Sequence, residues 1–268
     1  MMYAVVKNLI LSLLVLLVMS LFVVLADQSA PAWHTFGLAF LYRSDWNPGL
    51  SMFGALSAIV GTLVSAFLAI LIAAPMGLVI AFIIQEYLPR CMKKSVRLAM
   101  DLCMGIPSIV YGIWAMFVLI PICGIGLFTA GVVLAVMILP MIIALMTDLI
   151  SQVPPQIREA AYGVGAYKSE LLGIYCRQLK KAFWGTMILA LARALGETMA
   201  VSFVLGNSHR LTLSLFAPAT TLSAAIAGEF GEAFSGLYPA SLYALGLILL
   251  LLSFGMILLA RILLKQEV

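Results

Sequence analysis

Residues 9–26 form eighteen consecutive positions without a charged side chain, and residues 54–84 form a second such run of thirty-one. Runs of that length match a helix crossing a hydrocarbon core about 30 Å thick. In water they would have to be enclosed on every side. With 64% hydrophobic and 10% charged residues, this chain has too little polar surface for that, since a soluble domain carries about 25% charged residues. Lipid as solvent removes the difficulty. Further apolar stretches at about 98–120, 125–145, 183–205 and 237–264 bring the count to six. The expected fold is all-α, a polytopic membrane helix bundle of about six transmembrane helices.

Val24-Leu25-Ala26 loosely resembles a signal cleavage site. The run before it exceeds the usual signal core of about 7–15 residues, so it reads as a retained first span. Residues 27–50 hold Pro31, Trp33, His34, Tyr42, Trp46 and Pro48, a pattern that suggests an interfacial connection. Pro75, Pro107 and Pro140 fall inside apolar stretches and predict bent helices. No internal repeat is evident, which weakens an inverted-repeat secondary transporter.

Charge placement orients six spans. With the N-terminus cytoplasmic, one side carries Lys7, Arg90, Lys93, Lys94, Arg97, Arg158, Lys168, Arg177, Lys180, Lys181, Arg261 and Lys265, and the other only Arg43 and Arg210. Twelve against two is a strong bias toward that orientation. Cys91, Cys103, Cys123 and Cys176 are scattered without ligand spacing and read as small apolar fillers. His34 and His209 lie in polar connections and read as solvated, so no metal site is expected.

Two segments carry function. In the polar stretch at about 149–182, Pro154-Pro155 suits a helix start. Ile157, Ala160, Ala161 and Val164 follow at helical spacing, and Gly163 and Gly165 end the run. This short amphipathic helix either rests on lipid headgroups or docks in a groove on a soluble partner. In the fifth apolar stretch, Arg193 and Glu197 stand four residues apart, a spacing that puts both on one face of a continuous helix. Thr198 and Ser202 add hydroxyls nearby. An arginine near the bilayer centre costs about 2.5–3.5 kcal/mol on insertion scales. A structural ion pair is one reason to keep it. The other is contact with an anion in transit, since guanidinium is a charged fork matched to phosphate oxygens. Glu197 would then accept a hydrogen bond from a protonated phosphate oxygen, which fully ionised sulfate lacks.

Glu159-Ala160-Ala161 followed by Gly165, placed before the penultimate span, resembles the EAA loop of ATP-binding-cassette import permeases. The family's frequent Leu-Pro pair is replaced here by Leu179-Lys180. Gly105-Ile106-Pro107-Ser108-Ile109-Val110-Tyr111-Gly112, Arg193-Ala194-Leu195-Gly196-Glu197-Thr198-Met199-Ala200, Gly206-Asn207 and Ser214-Leu215-Phe216-Ala217-Pro218 are similar to PstC-type permeases of phosphate-specific importers. The likeness runs from about Trp46 to the last span.

The resemblance implies a type I importer permease fold, with residues 1–50 a first helix and outer connection and 51–268 the permease core. It implies that Glu159, Ala160, Ala161 and Gly165 couple to an ATPase and that Arg193 and Glu197, with Thr198 and Ser202, line the substrate path. It also implies a PstA-type second permease, an ATPase dimer and an outer phosphate-binding protein. A Walker A loop is missing from the sequence, so nucleotide binding and catalysis are not expected of this chain. No cofactor or nucleic acid is expected either. A permease for sulfate or molybdate, or a non-transporting scaffold or regulatory subunit, are the alternatives.

Overall fold

The computed structural model describes residues 2–212, 214–234 and 236–265. The side chains of Arg261 and Lys265, counted among the cations above, lie outside the described residues. Apart from one isolated bridge between Asn47 and Met52, the regular structure of the described residues is helical. Among the described residues, four helices are long and apolar enough to cross a membrane: Val6–Phe36, Leu56–Tyr87, Leu127–Ser151 and Leu237–Leu258. Two bent pairs raise the number to six if each counts as one span.

Helix α1 covers Met2–Phe36, so the segment read as an interfacial connection is helical as far as Phe36 and carries Pro31 inside. It packs chiefly on the last helix, and Leu9, Leu13 and Leu16 remain exposed as a lipid-facing surface would require. The central pair is α2 (Leu56–Tyr87) and α5 (Leu127–Ser151), which make the most extensive helix contact in the chain. Small residues permit it. Ala66, Ala69, Ala73, Gly77 and Ala81 recur about every four residues on the buried face of α2. A Cβ on Gly77 would lie 2.5 Å from Ile142 Cγ2, and one on Gly131 would lie 2.7 Å from Leu68 Cβ. Lipid supplies no hydrophobic force between helices, so this close backbone approach and its dispersion contacts hold the pair together. Both helices run on through their prolines, Pro75 and Pro140.

The third apolar stretch is not one helix. It divides into α3 (Arg90–Gly105) and α4 (Ser108–Val118), which meet at 90° across Ile106-Pro107. Proline restricts the residue before it to extended backbone, and Ile106 adopts φ −68°, ψ 127°. No residue of α3 is buried. Its cations tie it to the bundle: Arg97 makes two hydrogen bonds to Asp148 of α5, at 2.6 and 2.9 Å, and Lys93 Nζ donates to the Gln85 carbonyl at 2.6 Å.

The long polar stretch contains α6 (Pro155–Gly163) and α7 (Leu171–Gln178). Next come the bent pair α8 (Lys180–Leu195) and α9 (Met199–Leu205), then α10 (Leu222–Glu229) and α11 (Leu237–Lys265). The connection after α9 is not a plain surface loop. Thr220, Thr221, Leu222, Ser223, Ala224 and Ala225 are buried, so the start of α10 is folded into the bundle. Leu222 N donates to Thr62 Oγ1 at 2.9 Å, and a Cβ on Gly61 would strike the Thr220 carbonyl oxygen at 1.9 Å. Glycine at 61 is what lets that backbone approach α2.

Candidate functional site

At Gly196-Glu197-Thr198 the helix tightens and stops: Gly196 N still donates to the Ala192 carbonyl at 3.4 Å, Glu197 N turns to the Ala194 carbonyl at 3.4 Å, and α9 leaves at 63° to α8. Arg193 lies in the last turn of α8 and Glu197 in the break, so the two do not share one continuous helix face. The i,i+4 expectation fails because the helix ends at Leu195, between them. Among the described residues neither side chain makes a hydrogen bond or an ion pair. Arg193 is exposed and Glu197 half-buried.

The break has its own supports. Ser223 Oγ donates to the Glu197 carbonyl at 2.7 Å, linking it to α10. Ser202 N and Ser202 Oγ both donate to the Thr198 carbonyl, at 3.1 and 2.8 Å. The Ser202 hydroxyl proton is therefore committed to the backbone, leaving its oxygen to act as an acceptor. Thr198 Oγ1 lies 3.5 Å from the Gly196 carbonyl, a long contact that leaves this hydroxyl the looser of the two.

The second bent pair faces the first. Helix α4 packs on α9 where Gly112 meets Met199, Ala200 and Phe203. Tyr111 Oη donates back to the Cys103 carbonyl at 2.9 Å, which also accepts from Ile106 N at 3.3 Å, so the end of α3 is tied to α4. The Gly105–Gly112 and Arg193–Ala200 motifs thus form one contact between two half-helices.

The connection after α9 covers the start of α5. Phe128 N donates to the Leu215 carbonyl at 2.8 Å, and Gly126 N to the Val204 carbonyl at 3.0 Å. At the same end of the bundle lies a cluster the sequence did not disclose. Glu229 Oε2 accepts from Trp46 Nε1 at 2.6 Å and from Tyr238 Oη at 2.9 Å. Its Oε1 sits 2.5 Å from His209 Nε2. Trp46 stacks on His209 with centroids 4.7 Å apart. His209 is therefore enclosed, with 13% of its side chain exposed, instead of solvated; His34 is exposed. Burial opposes ionisation of Glu229, yet the bonds from His209, Tyr238 and Trp46 outweigh it and hold its carboxyl below the usual value.

The opposite end gathers cations. Arg97, Lys93, Arg158 and Lys168 contact Asp148, Gln85, Glu86 and Tyr87, at the ends of α2 and α5. Helix α6 lies here. Glu159 and Ala160 face outward, whereas Ala161 is 6% exposed and packs into the bundle. Gly165 adopts φ +84°. Ala166 N donates to the Ala161 carbonyl and Gly165 N to the Tyr162 carbonyl, both at 3.0 Å, which is the Schellman stop. The four residues singled out here divide into two exposed, one buried and one that terminates the helix. Arg158, between Ile157 and Glu159, also matters: its Nη2 lies 3.1 Å from Glu86 Oε2. An acidic residue at the end of an apolar run was the available signal for Glu86.

The class follows from the fold, a polytopic α-helical membrane protein with two bent helix pairs. The description "binding-protein-dependent transport system inner membrane component" matches residues 73–266, and the chain belongs to that family, as a multi-pass inner-membrane protein. It is 43% identical to the phosphate transport system permease protein PstC of Mesorhizobium japonicum, over 88% of this chain and 80% of that protein. It is 40% identical to the protein of that name from Pasteurella multocida, over 88% and 82%. A probable phosphate transport system permease protein PstC of Methanocaldococcus jannaschii is 31% identical, over 83% and 80%. Among solved structures, an inward-facing MetNI methionine ABC transporter superposes with a TM-score of 0.60 at 16% identity, covering 80% of this chain and 94% of that one. That likeness concerns the fold.

Proposed function

We propose that this chain is one of two permease subunits of an ATP-driven importer of inorganic phosphate. Arg193 carries the proposal: an exposed guanidinium at a break in an apolar stretch, without a hydrogen-bond or ion-pair partner among the described residues. Hydrocarbon would penalise it by about 2.5–3.5 kcal/mol or more. It therefore faces water or a polar surface, and a path shared with a second, PstA-type permease is such a surface. A planar fork there engages a phosphate oxygen pair. Glu197 accepts a hydrogen bond from the protonated phosphate oxygen, and Thr198 and Ser202 line the same break. The PstC relatives, at 31–43% identity, favour phosphate over sulfate or molybdate.

The cationic end faces the cytoplasm, with both termini on that side. There α6 presents Glu159 and Ala160 to an ATPase subunit, with Ala161 as its anchor and Gly165 as its stop. ATP hydrolysis belongs to that partner dimer, and an extracytoplasmic phosphate-binding protein delivers substrate at the Glu229 end. Residues 51–268 form the permease core, and residues 1–50 add a peripheral helix and outer connection. The test is ATP-dependent phosphate uptake into vesicles holding the reconstituted complex, with Arg193 and with Arg193→Gln. Wild-type uptake by an assembled Arg193→Gln complex would remove the proposal.

A further inference from the structure

Glu86 stands in the last turn of α2 with 2% of its side chain exposed. Its Oε1 accepts from Tyr175 Oη of α7 at 2.9 Å. Its Oε2 is ion-paired with Arg158 of α6 at 3.1 Å, without the alignment of a hydrogen bond. A carboxylate so enclosed is costly, and apolar residues of similar size often replace a buried ion pair without loss of stability. Packing alone therefore does not account for it.

Its partners lie on different elements. Ala161 is the one residue of α6 that is buried, and a single methyl contact transmits little force. The ion pair adds a second attachment, from α6 to α2. The tyrosine bond extends it to α7, which continues through Leu179 into α8 and so to Arg193. Burial, and then the bond to Glu86, push the Tyr175 hydroxyl up to about 12, so it remains a donor at neutral pH. Lys168 Nζ, 4.7 Å from the Tyr87 ring centroid, ties the chain after α6 to the same end of α2.

We infer that Glu86 is a positioning residue that fastens α6 to α2 and α7, so that displacement of α6 by an ATPase reaches both the central helix pair and the broken span. This rests on α6 being the ATPase-docking helix. The test compares Arg158→Gln, Arg158→Lys, Glu86→Gln and the Arg158→Gln/Glu86→Gln double variant in the reconstituted complex. Complex yield, ATP hydrolysis and phosphate taken up per ATP are measured separately. Arg158→Gln and Glu86→Gln are expected to assemble and to lose about tenfold in uptake per ATP. Arg158→Lys should keep most of it, and the double should be no worse than the worse single, as for two ends of one contact.

Arg158 has 44% of its side chain exposed, so Arg158→Gln decides the matter if Glu86→Gln fails to fold. Wild-type uptake per ATP in Arg158→Gln overturns the linkage. Ala160→Arg, on the outward face of α6, separates the two ideas. Normal ATPase co-purification and uptake in Ala160→Arg would refute docking through α6 and the linkage with it. Lost docking there, with normal coupling in Arg158→Gln, refutes the linkage alone.

Discussion

Gly112 and Ala200 cross with no room for a methyl group between them: a Cβ on Gly112 would lie 3.1 Å from Ala200 Cα and 2.7 Å from Phe203 Cδ2. The contact joins the half-helices α4 and α9, each of which leaves a broken span. A backbone atom cannot move aside as a flexible side chain can. Gly112→Ala should therefore destabilise by about 1–3 kcal/mol, the usual range for overpacking, and Gly112→Val by more. Thermal unfolding in detergent measures both, and an unchanged midpoint for Gly112→Val would contradict the crossing.

Uptake should depend on Arg193 without depending on a pair with Glu197. Removing a charge-assisted contact worth about 1.5–3 kcal/mol lowers the rate about 10- to 100-fold, so Arg193→Gln should be severely impaired. Arg193→Lys keeps charge but loses the fork and should be impaired less. Glu197→Gln should leave phosphate uptake largely intact while relaxing rejection of sulfate. Replacing both residues with apolar ones of similar size should not restore transport. Restored phosphate uptake in that double variant, measured in vesicles, would show the two to be a structural pair after all.

Gly165 should tolerate asparagine but not valine. No atom lies within 4 Å of a Cβ placed there, so space is not the constraint; φ +84° is. Left-handed backbone costs an ordinary L-residue about 1–2 kcal/mol, and asparagine tolerates it best. ATPase co-purification should survive Gly165→Asn and fall with Gly165→Val. Equal losses in both would mean that Gly165 touches the partner directly.

Acid should loosen the Glu229 cluster. The folded-state value is lowered from its ordinary 4.5, so the bound carboxylate contributes stability that is fully present above that pH. The contribution is lost as pH falls through the depressed folded value. Glu229→Gln should lower the melting temperature at pH 7, with a loss of about 1–3 kcal/mol for hydrogen bonds to a charged group. It should also flatten the acid limb of the stability curve. Trp46 fluorescence, with Trp33, Trp114 and Trp184 replaced by phenylalanine, reads this out during thermal melts between pH 3 and pH 7. An acid limb of wild-type steepness in Glu229→Gln would assign the loss to other carboxyl groups.

Single cysteines at Lys94 and Lys168 should react with an impermeant thiol reagent only from the cytoplasmic side, and those at Arg43 and Arg210 only from outside. The native cysteines Cys91, Cys103, Cys123 and Cys176 would first be replaced. Labelling of the Lys168 position from outside would break the six-span topology.

Sequence alone determined the solvent, the helical class and the approximate spans, because apolar length against bilayer thickness is a one-dimensional property. The Glu159–Gly165 pattern was also legible, since helix starts and glycine stops act within a few residues. Three-dimensional structure decided the rest. Pro75 and Pro140 stay inside continuous helices while Gly196 ends one, because neighbours decide whether freed backbone groups are satisfied, as Ser223 does for Glu197. Arg193 and Glu197 lost their shared face to that break. His209 became part of an enclosed cluster because Trp46, Glu229 and Tyr238 arrive from distant parts of the chain. Glu86 looked like the end of an apolar run until folding placed Arg158 and Tyr175 against it. Spacing in a chain records local periodicity, whereas a buried charge is explained by groups far away in sequence.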